Sequence, residues 1–161
     1  MVHGIPNKNT LKEGDVISID CGVYKNGFYG DHAYTFAVGD ISNKIEALLK
    51  TTKESLYIGI ECFKEGNRVG DLGYSIQSHC EKNGYSVVRE LVCHGIGKNM
   101  HEGPEIPNYG KRGTGKSWLL KRLLRKRFSD DFGTIFVALG EAKMIKSVGG
   151  FARIQFSAFA T

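Results

Sequence analysis

Two aspartates and three histidines are the residues whose types and spacing could do chemistry. His94 and His101 stand seven residues apart in Leu91-Val92-Cys93-His94-Gly95-Ile96-Gly97-Lys98-Asn99-Met100-His101-Glu102-Gly103-Pro104-Glu105-Ile106-Pro107. Asp20 comes near the end of the β-rich run Val16–Cys21, Asp31 follows Gly27-Phe28-Tyr29-Gly30, and His3 lies in an opening His3-Gly4-Ile5-Pro6 loop. Carboxylate oxygens and an imidazole nitrogen together suit a divalent metal ion. Asp20, Asp31 and His94 are the candidate ligands, with His101 and His3 as further imidazoles.

These side chains need elements that bring them together. Asn26-Gly27 between apolar flanks signals a β-hairpin. Residues equidistant from such a turn face one another. Taking the centre between Lys25 and Asn26 sets Asp20 across from Asp31, within one bulge. Neighbouring carboxylates repel unless a proton or cation is shared, and a bound divalent ion is the economical solution. Val87-Val88 and Leu91-Val92 read as a strand delivering His94 to its end, where Gly95 and Gly97 let the backbone turn away or approach a ligand. Pro104 and Pro107 keep the next segment extended.

Two helices complete the first part. Ser42 to Cys62 shows an apolar stripe of Ile45, Leu48, Leu49, Leu56 and Ile60. Val69 to Asn83 has Asp71 in its first turn, a Leu72, Ile76 and Cys80 stripe, and Gly84 suited to the cap. His79 falls on this helix, and it and His32 take packing or surface roles.

Charge divides the chain of 161 residues. Residues 1–115 hold 13 Lys and Arg against 14 Asp and Glu, and residues 116–161 hold 9 against 3. All histidines, prolines and cysteines precede residue 108. The expected organisation is a metal-binding region over 1–115 and a basic tail over 116–161 of separate origin, frameshifted or fused. Trp118–Arg127 reads as a short basic amphipathic helix and Thr134–Leu139 as a strand. Gly110-Lys111-Arg112-Gly113-Thr114-Gly115-Lys116-Ser117 matches the phosphate-loop spacing, although Glu105–Tyr109 before it is a poor buried strand. The basic helix lacks an aromatic or glycine pattern for nucleic-acid readout, so a solvated charged face is the expectation. No apolar run reaches the ~18 residues of a membrane span, and no charged-then-apolar leader opens the chain. Cys21, Cys62, Cys80 and Cys93 show no C-x-x-C spacing, which fits reduced thiols in a cytoplasmic protein.

In order and spacing, His3-Gly4-Ile5-Pro6, Ile19-Asp20, Gly27-Phe28-Tyr29-Gly30-Asp31, His94-Gly95-Ile96-Gly97, His101-Glu102 and Pro104 resemble the type I methionine aminopeptidases across about residues 2–115. The resemblance implies an α+β (α/β) pita-bread fold, here partial, with an antiparallel sheet and flanking helices. It implies two divalent ions (cobalt, manganese, iron, zinc or nickel) and a metal-held water that attacks the carbonyl after an N-terminal methionine. Asp20, Asp31 and His94 would be metal ligands, and His101 would stabilise the tetrahedral intermediate. His3 would contact the substrate backbone and Met100 would line the methionine pocket. The implied partners are N-terminal Met peptides of nascent proteins, near the ribosome, with no membrane or nucleic acid and a monomeric state.

The family also uses two glutamates after the histidine motif. The first would fall within Leu124–Phe128, where there is none, and the only glutamate after Glu105 is Glu141, in a foreign context. The chain is therefore expected to be a truncated member that binds one ion, or binds ions weakly, with impaired activity. The other reading is an inactive fragment or a phosphate-loop fusion with a nucleotide-binding role.

Overall fold

The computed structural model describes residues 8–115 and the backbone of a short strand at 157–160. His3, the basic helix Trp118–Arg127, the strand Thr134–Leu139 and Glu141 lie outside the described residues. Strand β1 (Val16–Lys25) and strand β2 (Phe28–Ala37) form the predicted hairpin. Asn26 and Gly27 fill its turn at φ of 52° and 83°. That is the pair of left-handed conformations a two-residue turn requires, and Asn and Gly reach them at least cost.

The turn therefore centres between Asn26 and Gly27, which corrects the expected register. Asp20 pairs with Ala33, and Asp31 pairs with Gly22. The aspartates are diagonal neighbours rather than opposite ones. Side chains alternate along a strand, so both still project from one face. On that face the Ser18 and Thr35 hydroxyls share a 2.7 Å hydrogen bond and the Tyr24 and Tyr29 rings pack at 4.7 Å. The other face carries Ile17, Val23, Phe28 and Tyr34, of which only Ile17 is buried.

Helix α1 (Asn43–Cys62) starts at Ser42, whose side chain accepts the Ile45 N–H at 3.4 Å. Its buried face differs from the predicted leucine stripe. Leu48 is buried, but so are Thr51, Thr52, Ser55 and Gly59, while Ile60 is half exposed. The hydroxyls of Thr51, Thr52 and Ser55 donate to the Ala47, Leu48 and Thr52 carbonyls within the helix, so they can be buried without loss. Short side chains let helix α2 (Val69–Lys82) approach. Burial raises the Cys80 thiol pKa on α2, against a hydrogen bond with Ser55. Helix α2 ends as the glycine predicts. Gly84, at φ 78°, donates to the Glu81 carbonyl and Tyr85 donates to that of Cys80, the paired bonds of a Schellman cap. His79 leaves this helix toward α1, with Nε2 3.2 Å from Glu54 Oε2 but misdirected for a hydrogen bond. His32 is exposed on the face of β2 opposite Asp31.

Strands β3 (Cys93–Gly95) and β4 (Glu102–Ile106) form a second antiparallel pair, and strand β5 (Ser157–Ala160) lies parallel to β1 on the first sheet, in the order β2-β1-β5. The apolar lead-in before His94 is not the predicted strand. Val87 and Val88 are buried, but regular pairing begins only at Cys93, and His94 is the central residue of three. Burial there needs only side-chain packing, which Val87 finds against Leu72, Ile76, Cys80, Cys93 and Ile106 in the core.

The segment after β4 returns across the first turns of α2. Gly113 donates its N–H to Asp71 Oδ1 at 2.7 Å, Gly70 donates to the Thr114 carbonyl, and the Arg112 guanidinium covers Tyr74. Asp71 also accepts the Arg68 N–H at 2.7 Å. The Gly113 amide, one of those a phosphate would need in the phosphate-loop reading, is thus already bound to a carboxylate. Lys116 and Ser117 lie outside the described residues. The Gly113 and Arg68 bonds hold the Asp71 carboxyl below its ordinary range. A lowered folded-state pKa contributes stability above the unfolded value, about 3.9, and loses it as pH falls through the folded value. Asp71→Asn should therefore cost stability at pH 7, held by solvent screening to about 1 kcal/mol or less, and progressively less as pH falls through the folded value, read from denaturant melts across that range.

Candidate metal centre

The site is assembled where the first hairpin meets the loop between β3 and β4. The Tyr29 N–H donates to the Gly97 carbonyl at 2.8 Å, tying β2 to that loop two residues before Asp31. A register shift between His94 and Gly95 bends β3. A side chain at Gly95 would lie 2.6 Å from the Gly103 carbonyl oxygen, so the two strands approach this closely only because residue 95 is glycine.

Four of the sequence-predicted residues come together. Asp31 hydrogen-bonds to Asp20 and feels its charge. His94 Nε2 lies 3.8 Å from Asp31 Oδ2, with 22% and 14% of the two side chains exposed. The His94 and His101 rings pack with centroids 4.3 Å apart and planes tilted by 44°. Met100 is half-buried in the turn just before His101, and His101 itself is exposed.

The proton positions follow from the partners. His94 Nδ1 lies 2.9 Å from the Gly95 carbonyl, which can only accept, so Nδ1 carries the hydrogen. In the neutral ring Nε2 then presents a lone pair to Asp31. Two acceptors cannot hydrogen-bond to each other, and at 3.8 Å the nitrogen and the carboxylate oxygen are beyond hydrogen-bond reach in any protonation state. They suit a cation held by both, because N and O donors each bind at about 2.0–2.2 Å. The carboxylates carry the same message. Burial first, and then the hydrogen bond and charge of Asp20, raise the Asp31 pKa, while His94 and His101 oppose the rise. A pair that resists holding two negative charges invites a proton or a metal between them.

Asp31 and His94 offer an oxygen and a nitrogen donor of the types a divalent ion takes, with Asp20 joined through Asp31. Among the described residues, however, no three His, Cys, Asp or Glu side chains form a group that could hold a metal ion. Cys93, beside His94, is buried with its thiol 3.5 Å from the Asn108 side-chain oxygen, and none of the four cysteines forms a disulfide. The Tyr29–Gly97 tie was not visible in the sequence, because backbone pairing between distant loops leaves no residue signature. Glu102 stood in the motif without a role, and its hydrogen bond to Asn99 becomes apparent only in the folded loop.

No helix among the described residues is long and apolar enough to cross a membrane. A methionine aminopeptidase of Clostridium acetobutylicum is 49% identical over 138 residues, 85% of this chain and 55% of the relative. Methionine aminopeptidase 1 of Bacillus subtilis is 49% identical over 110 residues, 68% of this chain and 44% of the relative. The chain spans about half the length of the curated relatives it matches. The crystal structure of a methionine aminopeptidase from Rickettsia prowazekii superposes with a TM-score of 0.69 at 46% identity, covering 71% of this chain and 46% of that one. The architecture is therefore a partial pita-bread α+β fold, as the sequence implied. The sequence profile of Metallopeptidase family M24 matches residues 1–122, and this chain belongs to that family.

Proposed function

We propose that this chain is the metal-binding part of a methionine aminopeptidase, acting on peptides that begin with methionine. The observation that carries the proposal is His94 Nε2 lying 3.8 Å from Asp31 Oδ2, beside a second carboxylate. Asp20, Asp31 and His94 would hold one metal ion, and a second would be held weakly or not at all. When bound, a divalent ion supplies Lewis acidity and lowers the pKa of a water.

The chain's own residues do the rest. Asp31 and His94 fix where the ion sits, and Asp20 shares the negative charge with Asp31. The exposed ring of His101 is placed to donate a hydrogen bond to the oxygen that becomes negative as the peptide carbonyl is attacked. Met100 lines the pocket for the methionine side chain, and His3 holds the substrate backbone. The protein works as a cytoplasmic monomer on nascent chains near the ribosome. Within the 161 residues no Glu-Pro follows Glu105, so the first glutamate ligand that the resemblance to the type I enzymes implies has no match in this stretch, and slow turnover is expected of this stretch by itself.

With Co²⁺ or Mn²⁺ present, the chain should release methionine slowly from a Met-Ala peptide and not at all from its N-acetylated form. His101→Ala should lower release by about 100-fold. Cleavage of the blocked peptide, or release unaffected by His101→Ala, would remove the proposal. Rapid turnover would contradict the impairment.

A further inference from the structure

Within the site proposed above, we infer that Glu102 is a positioning residue that sets the pairing of the His94 and His101 rings. The two histidines are separated by a loop without regular structure, yet their centroids lie 4.3 Å apart. Three bonds shape that loop. The Gly97 N–H donates to the Asn99 carbonyl at 3.2 Å, and the Gly97 carbonyl accepts from Tyr29. The Asn99 N–H donates to Glu102 Oε1 at 2.9 Å. The first two bonds involve backbone alone, and the third depends on one side chain. Glu102 pairs with Gly95 in the β3–β4 ladder, so its backbone is anchored beside His94 while its carboxylate reaches over the turn that carries His101.

Gly97 makes room for this arrangement. A Cβ there would lie 3.0 Å from Glu102 Oε2 and 3.1 Å from Oε1, so an alanine would ask the carboxylate to give by a few tenths of an ångström. The glutamate five residues on thus packs directly against Gly97. Partners that orient a metal-site imidazole act at one remove, through geometry rather than through the reacting atoms. Glu102 is assigned that role for His101.

The test uses the full chain without metal and reads the nuclear Overhauser effect between the two imidazole rings. Glu102→Ala should abolish it and Glu102→Gln, whose amide oxygen can still accept from Asn99, should restore it. Mn²⁺ affinity by calorimetry should be little changed in Glu102→Ala, because His101 is not among the proposed ligands. A ring-to-ring effect that persists in Glu102→Ala overturns the assignment. So does a loss that Glu102→Gln does not restore, or one accompanied by collapse of the Leu72 and Ile76 methyl dispersion, which would report unfolding instead. If the unaltered chain binds no Mn²⁺, the metal-centre reading fails, and the ring pairing still decides the role of Glu102.

Discussion

Asp31→Asn should stabilise the metal-free chain at neutral pH and weaken divalent-ion binding by 100-fold or more. The two effects share one cause. Asp31 is largely buried and hydrogen-bonded to Asp20, and both the burial and the second carboxylate oppose its ionisation. An amide keeps the shape and a hydrogen-bonding oxygen but removes the like-charge conflict, so a gain on the order of 1 kcal/mol, a few degrees in Tm, is expected. Loss of the charge removes what a cation would bind, facing His94 Nε2 at 3.8 Å. Thermal melts with and without excess Mn²⁺ read both effects. The unaltered chain should gain Tm on adding the ion, because a ligand that binds only the native state stabilises it by mass action. Asp31→Asn should start higher and gain nothing. A variant that melts lower without metal, or gains as much with it, would contradict this account of the pair.

Gly73→Ala should destabilise the fold by about 3 kcal/mol, although alanine is the better helix former by about 1 kcal/mol. Gly73 lies within α2, where the returning chain crosses the helix. A Cβ there would run into the Tyr109 carbonyl and lie 2.8 Å from the Pro107 carbonyl oxygen. Gly70 and Gly110 make a similar approach, since a Cβ on Gly110 would lie 2.6 Å from the Gly70 carbonyl oxygen. These are backbone atoms of a packed turn held by the Asp71–Gly113 bond, so neither side yields cheaply. Denaturant unfolding of the metal-free protein measures the loss. An unchanged or raised midpoint would mean that the chain does not cross α2 so closely.

The hairpin, both helices and the candidate ligands were legible because each rests on a local signal. Asn26-Gly27 forces a turn, Ser42 and Gly84 mark helix ends, and glycines flank a histidine. What was not legible depends on contacts far apart in sequence. The hairpin register slipped by one residue on each strand because the turn centre was placed before Asn26 instead of after it. Both aspartates nonetheless share a face, since a shift of one on each strand preserves the alternation. The buried face of α1 was misread because a stripe of leucines outweighs Thr51, Thr52 and Ser55 in any apolar pattern, although hydroxyls bonded to their own helix can be buried. Gly70 and Gly73 carry no signal of their own in the sequence, and only the crossing segment gives a reason for them. Glu102 illustrates the same limit inside the site, where a side chain bonded to a loop amide has no periodicity to announce it.

The central claim is that Asp31 and His94 converge on one divalent ion. X-ray absorption at the metal edge, on the chain loaded with less than one equivalent of Co²⁺, tests it most directly. The account predicts one imidazole nitrogen among oxygen donors at about 2.0–2.2 Å, with the imidazole scattering lost in His94→Ala. An all-oxygen shell, sulfur ligation, or an imidazole signal that survives His94→Ala would contradict it.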